Sequence, residues 1–201
     1  PLGPARVLDL CAAPGGKTMQ MAAAGYDVTA LDRSKSRLAR LSANLERTGL
    51  QAKTLVGEAI DFDASGVGAG DLGGGGFDAV LVDAPCSATG TYRRHPEVLY
   101  RARPTVVAAA TEAQAALIAH AATLVRPGGT LIYAVCSLER EEGEAIVEAA
   151  GGLILDPIRP EELPAGIVPD AQGRLRVLPT MLEPEGGLDG FFIARLVRPL
   201  A

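Results

Sequence analysis

Positive charge is in short supply in this 201-residue sequence, where 19 Lys and Arg face 24 Asp and Glu for a formal net charge of −5. Gripping nucleic acid over a broad face takes clustered cations on the phosphates, so that class is excluded and any such contact must be local or supplied elsewhere. No apolar run is long enough to span a bilayer, and no signal-peptide pattern precedes the first predicted strand. Cysteine is sparse too: the 3 present, Cys11, Cys86 and Cys136, are odd in number, scattered and without a C-x-x-C pair. They form no disulfide framework, and a reducing cytoplasm with no membrane partner is the expected setting. No internal repeat is visible. The rest is ordinary globular composition, 48% hydrophobic and 21% charged, in a length that suits one domain over residues 1–201 with a substantial core. The sequence opens on Pro1 only a few residues before its first strand, and it is expected to be the C-terminal part of a longer protein.

Strand and helix patterns alternate along it. "ARVLDL" (5–10), "YDVTALD" (26–32), "AKTLVG" (52–57), "FDAVLVD" (77–83), "TLIYAVCS" (130–137) and "GFFIARLV" (190–197) read as strands. Helical spacing marks residues from about 17 to 24, 35–50 with Gly49 as a stop, 104–125 and 140–150. The alternation predicts an α/β fold, doubly wound, with a mostly parallel sheet covered on both faces. "SGVGAGDLGGGG" (65–76) cannot bury apolar surface and reads as a surface loop, and the Pro-rich stretch 156–184 reads as a surface connection.

In open α/β sheets, ligands bind beyond the carboxyl ends of the strands. The first strand runs into "DLCAAPGGKT", where Gly15 and Gly16 let the backbone approach a ligand, and Asp32, ending the second strand, can hydrogen-bond a ribose diol. An adenosine-containing cofactor is implied. A dinucleotide fingerprint is a weak match, because Cys11, Ala13 and Gly16 occupy the G-x-G-x-x-G offsets. A P-loop ATPase is the runner-up: Gly16, Lys17 and Thr18 match its end, and Asp83 would stand in for the magnesium-binding acid. Against it, position 11 is Cys, and Pro14 removes a phosphate-cradling N–H. S-adenosyl-L-methionine has no phosphates; the loop need only admit its methionine end while Asp32 takes the ribose. Cys11 itself reads as a small buried residue in a tight turn. Lys17, at the mouth of the site, is expected to make a polar contact.

Cys86 in "DAPCSATG" and Cys136 in "YAVCS" follow the fourth and fifth strands, and with Cys11 they are expected near one carboxyl edge of the sheet. Zinc wants four ligands, or three plus water, and His95 and His120 have no evident reach, so no metal is expected. Nucleophilic work explains two of the thiols better. Cytosine C5 is a poor nucleophile, and a thiolate added at C6 pushes electron density onto it; afterwards the C5 proton must leave and the thiolate be expelled. One thiol attacks and a second group assists release. On "VDAPCSATG" alone, Cys86 is the candidate for attack. Asp83 can bind the polar edge of an extruded base. An exocyclic-amine methyltransferase would want an aromatic residue that "DAPC" lacks.

Together "DLCAAPGGKT", "DAPCSATGTYRRHPE", "YAVCSLEREEGE" and "DGFFIARL" resemble the Sun/Fmu-type RNA cytosine-5 methyltransferases, which include the RsmB-like enzymes of bacterial ribosomal RNA and the eukaryotic NOP/Sun proteins. The likeness covers nearly the whole chain, and it implies a seven-stranded, Rossmann-like sheet with an antiparallel last strand. It also implies attack by Cys136 and release assisted by Cys86. It places S-adenosyl-L-methionine against Cys11, Ala12, Ala13, Pro14, Gly15, Gly16 and Lys17, with Asp32 and Arg33 at the ribose, Glu58 and Ala59 near the adenine, and Asp83 at the reacting end. Asp83 would also hold the cytosine, and Lys17 would help lower a thiol pKa that is ordinarily about 8.5. Glu58 stands where the family usually has Asp, and Val135 where Thr is common. The family's N-terminal RNA-binding region is expected outside this stretch. Arg93, Arg94 and His95, in a basic stripe with Arg101 and Arg103, are expected beside the RNA backbone. The implied partner is RNA, ribosomal RNA first and transfer RNA second, bound by a monomer. A non-catalytic RNA-binding subunit is the other alternative, and the presence of both cysteines argues against it.

Overall fold

A computed structural model of the protein describes residues 5–64 and 76–200. Of the predicted glycine-rich loop, only Gly76 lies within them. The chain packs as two compact units. The first runs to Asp83 and takes in His120–Leu131 and the segment from Arg198; the second comprises Ala84–Ala119 and Ile132–Val197.

The first unit is built on four parallel strands, β1 (Arg6–Asp9), β2 (Asp27–Asp32), β3 (Lys53–Val56) and β4 (Phe77–Asp83), in the order β3-β2-β1-β4. Every residue of β2 after Asp27 is buried, the mark of a strand covered on both faces. Helix α1 (Gly16–Ala23) follows β1, and α2 (Lys35–Thr48) follows β2. Leu38, Leu41 and Leu45 recur at helical spacing on α2 and pack with Ala12 and Ala30, each Leu contributing about 1.5–3 kcal/mol by its burial. Ser34 caps this helix by accepting the Arg37 N–H at 3.3 Å, and Gly49 ends it with φ 69°, the stop expected. In register, Asp9 stands opposite Ala30 and Asp32 opposite Val56, so the strands release their chains at one edge.

Two elements have residues in both units, α4 (Pro104–Leu124) and β5 (Val125–Val135). β5 begins five residues before its expected start at 130, because Gly128 donates to the Arg198 carbonyl and Arg198 donates to that of Gly129, drawing "RPGG" into the strand. The second unit adds α3 (Val98–Arg101), α5 (Glu144–Ala149), β6 (Ile154–Leu155), β7 (Leu175–Val177) and β8 (Phe191–Val197). α5 starts later than its predicted beginning at 140. Gly143 is non-helical at φ −110°, ψ −95°, and a Cβ there would meet Arg176 Nη2 at 2.7 Å and Phe192 Cγ at 2.9 Å. β8 pairs antiparallel with β6 and with β7. The Pro-rich stretch is therefore more than a surface connection: it carries β7, whose Leu175 and Val177 close a small core with Ile167. Mostly parallel strands with antiparallel C-terminal ones make up the mixed α/β fold expected. Among the described residues no helix is long and apolar enough to cross a membrane.

Candidate active site

Each half of the expected site lies within one unit. In the first, the turn after β1 is tied down by backbone hydrogen bonds from Leu10 to the Leu81 carbonyl and from Ala12 to that of Leu31, both 3.0 Å. Asp32, expected on a ribose, is buried and holds this turn from below: Oδ2 accepts the Ala13 N–H at 3.1 Å and Oδ1 that of Ser34 at 2.8 Å. Arg37 closes the arrangement, its guanidinium 3.7 Å from Asp32 and donating to the Ala13 carbonyl. Gly15 has φ 104°, and a Cβ on it would lie 2.1 Å from Leu41 Cδ1 in the core, so no other residue fits. Gly16, by contrast, faces open space. Ala12 and Ala13 are buried, while Pro14 and Arg33 are exposed.

Lys17 makes the polar contact expected of it, donating to Asp83 Oδ2 at 2.8 Å. Thr18 is buried and donates to Asp9 Oδ2 at 2.7 Å. The hydroxyl and the lysine amine that a P-loop would offer to magnesium and phosphate are here engaged by Asp9 and Asp83. No pattern in the sequence singles out Asp9. It is 1% exposed, its Oδ1 has no hydrogen-bond partner, and its pKa is pushed up to about 6, chiefly by burial and against the Thr18 hydrogen bond. Cys11 is pushed up to about 12 by burial, with Asp9, Asp32 and Asp83 adding to the effect. It is a small residue in a tight turn as expected, but half-buried where full burial was expected. Glu58 is exposed and Ala59 half-buried just beyond β3, flanked by Val56 and Ile60, 60% and 44% exposed.

In the second unit the two remaining thiols meet: Cys86 Sγ stands 3.4 Å from Cys136 Sγ. Backbone positions them. Ala84 donates to the Ala134 carbonyl at 2.9 Å and Gly90 to that of Cys136 at 3.0 Å. Gly190 donates to Gly90 at 2.7 Å, and a Cβ on Gly90 would lie 2.0 Å from the Gly190 carbonyl oxygen, which accounts for the glycines in "ATGT" and "DGFF". The hydrogen bond with Cys136 and burial hold the Cys86 thiol well above its usual range. Ser87, Gln114, Ser137 and Glu142 form a buried polar cluster beside the pair that sequence patterns do not single out.

The predicted RNA-facing residues Arg93, Arg94 and His95 are all exposed. Arg94 grips both oxygens of Asp189 with Nε, at 3.0 and 2.9 Å, and Arg93 lies 3.6 Å from the same carboxylate. His95 sits 3.4 Å from Glu97. Part of the basic stripe is thus internally neutralised, by an aspartate 95 positions away from Arg94.

A family model described as "16S rRNA methyltransferase RsmB/F" matches residues 2–197. Ribosomal RNA small subunit methyltransferase B of Xylella fastidiosa is 38% identical over 98% of this chain, and that of Sodalis glossinidius is 38% identical over 96%. The chain spans 44% and 41% of those relatives' own lengths. Among solved structures, NSun6 from Pyrococcus horikoshii with SFG, a SAM analogue, superposes with a TM-score of 0.75 at 29% identity, covering 96% of this chain and 48% of that one. A match over nearly every residue, by sequences that share more than a third of their positions with it, places this chain in the RsmB/F family of 16S rRNA methyltransferases.

Proposed function

We propose that this chain transfers a methyl group from S-adenosyl-L-methionine to C5 of a cytosine in RNA, ribosomal RNA first, through a transient bond between Cys136 and C6 of the base. The observation that carries the reading is the pair of sulfurs 3.4 Å apart, in a chain of this family. S-adenosyl-L-methionine, when bound, supplies an electrophilic methyl group. The residues that would hold it are Cys11–Lys17, with Asp32 and Arg33 at the ribose and Glu58 and Ala59 at the adenine. They fit such a group: Gly16 is open to an incoming ligand, and exposed Val56 and Ile60 beside Glu58 offer an apolar bed with an acceptor for an aromatic ring. Asp32 has lone pairs beyond those used by Ala13 and Ser34.

The Cys136 thiolate forms the bond to C6, and the C5=C6 electron pair moves to C5, which would take the methyl group as the methyl–sulfur bond of S-adenosyl-L-methionine breaks and its electron pair stays on the departing sulfur. The C5 proton then leaves to a base, the double bond re-forms, and the sulfur–C6 bond breaks, returning its electrons to Cys136. The adjoining thiol and burial favour the protonated form of Cys86, which suits it to assist elimination. Asp83, organised by Lys17, precedes Cys86 by three positions in the chain and is suited to accept from the base's amino edge.

The test uses the full-length protein with unmodified ribosomal RNA and matched Cys136→Ala and Cys86→Ala variants. The first should lose both methylation and the adduct seen on denaturing gels. The second should accumulate the adduct. The reverse pattern would exchange the two roles, and titration showing Mg-ATP bound but no S-adenosyl-L-methionine would end the reading.

A further inference from the structure

A carboxylate that the proposed reaction does not use is buried beside the two cysteine turns. Glu142 is 0% exposed. Its Oε1 accepts the Ser87 N–H at 2.8 Å and the Gln114 side-chain N–H at 3.1 Å; its Oε2 accepts the Ser137 hydroxyl at 2.5 Å and also that of Ser87. Ser87 follows Cys86 in the chain and Ser137 follows Cys136, so one side chain is bonded to both cysteine turns. Gln114 also donates to the Pro85 carbonyl at 2.9 Å, which pins the other flank of Cys86. Glu142's own backbone is held in place by the Tyr133 hydroxyl, which donates to its carbonyl at 2.7 Å.

None of the hydrogen-bond donors on this carboxylate is cationic. Burying such a group carries a desolvation penalty that neutral donors only partly offset. Its two hydroxyl partners are already 3.3 Å from one another, so they could bridge without it. What it adds is an acceptor that joins the turns and a negative charge close to Cys86.

We propose that Glu142 is the positioning residue of the cysteine pair, holding the Cys86 turn against the Cys136 turn through Ser87 and Ser137 so that sulfur stands beside sulfur. This rests on the function proposed above. The joining and the charge are separable. Glu142→Gln keeps the shape: its oxygen retains the Ser87 and Gln114 N–H groups, and its amide donates to hydroxyls that can accept. Glu142→Ala removes the acceptor altogether.

The titratable groups facing Cys86 are Cys136, Glu142 and Tyr133, and burial keeps the Tyr133 phenol protonated. Removing the negative charge of Glu142 therefore favours the Cys86 thiolate. With Cys11→Ser and Cys136→Ser in place, iodoacetamide alkylation of Cys86 should shift to lower pH in Glu142→Gln, read as faster alkylation at a fixed pH. On RNA, Glu142→Ala should release its adduct about tenfold more slowly than wild type, in the direction expected of Cys86→Ala, with Glu142→Gln restoring much of the rate. Wild-type release in Glu142→Ala would overturn the proposal, as would a Glu142→Gln variant that keeps the hydrogen bonds yet releases no faster than Glu142→Ala. Should Glu142→Ala fail to fold, Ser137→Ala, which takes the Cys136 turn off the carboxylate, replaces it with the same slowed release expected and wild-type release overturning the proposal. The alkylation arm needs no RNA. A wild-type protein that methylates nothing, with no adduct in Cys86→Ala, would sink the proposed function while leaving the Glu142 measurement standing.

Discussion

Replacing Asp9 with Asn tests the electrostatics beneath the first turn. Asp9 is 1% exposed, and burial, opposed by the Thr18 hydroxyl, leaves its carboxyl at about 6 against an ordinary 3.8. The folded protein thus binds this proton more tightly than the unfolded chain does. Stability falls as pH rises from about 4 to about 6, and the loss is complete above that window. Integrating the two titrations gives a destabilisation of about 1 kcal/mol at about pH 4.5 and about 3 kcal/mol at about pH 8. Asn carries no charge and escapes it, but its amide N–H faces the side where Oδ1 has no partner, a pH-independent loss of about 1–3 kcal/mol. The absolute difference is therefore small, whereas its change with pH is not. Urea unfolding of both proteins without ligand, from about pH 4.5 to about pH 8, should show the variant gaining on wild type by about 2 kcal/mol. Parallel stability curves would refute the reasoning.

Two glycines and one aspartate supply further tests. Gly15→Ala forces φ 104° on a residue with a Cβ and drives that Cβ into Leu41, at about 2–5 kcal/mol in stability, measurable by thermal unfolding. Gly16→Ala meets nothing in the protein, so it should unfold like wild type yet weaken S-adenosyl-L-methionine binding in calorimetry. Asp189→Asn frees Arg93 and Arg94, and RNA affinity should then depend more steeply on salt, by about 0.7 in the log–log slope for each further phosphate neutralised. An unchanged slope would remove those arginines from the RNA-facing surface.

Much of the local structure is legible in the residues themselves. The spacing of Leu38, Leu41 and Leu45 specifies the buried face of α2, and Gly49 its end. Illegible elements have competing local signals. β7 lies in a Pro-rich stretch and forms because β8 offers it an edge. The run Glu139, Glu141, Glu142, Glu144 reads as the solvated start of a helix, and no periodicity tells that Glu142 turns inward to Ser87 and Ser137. Asp189 is likewise silent until it meets Arg94.

The alternation of strands and helices, the glycine turn after β1 and the thiols placed after β4 and β5 are written in the residues alone, because dihedral preference and side-chain period act over a few neighbouring positions. That Cys86 and Cys136, 50 positions apart, touch, and that a glutamate 55 positions from Ser87 is buried with it, follow only from tertiary packing. So does the support that Asp32 gives the turn it was expected to serve from the ribose side. Those contacts come from chain segments that folding brings together, and the low dielectric there, absent along an extended chain, is what gives a buried carboxylate or thiol its altered chemistry.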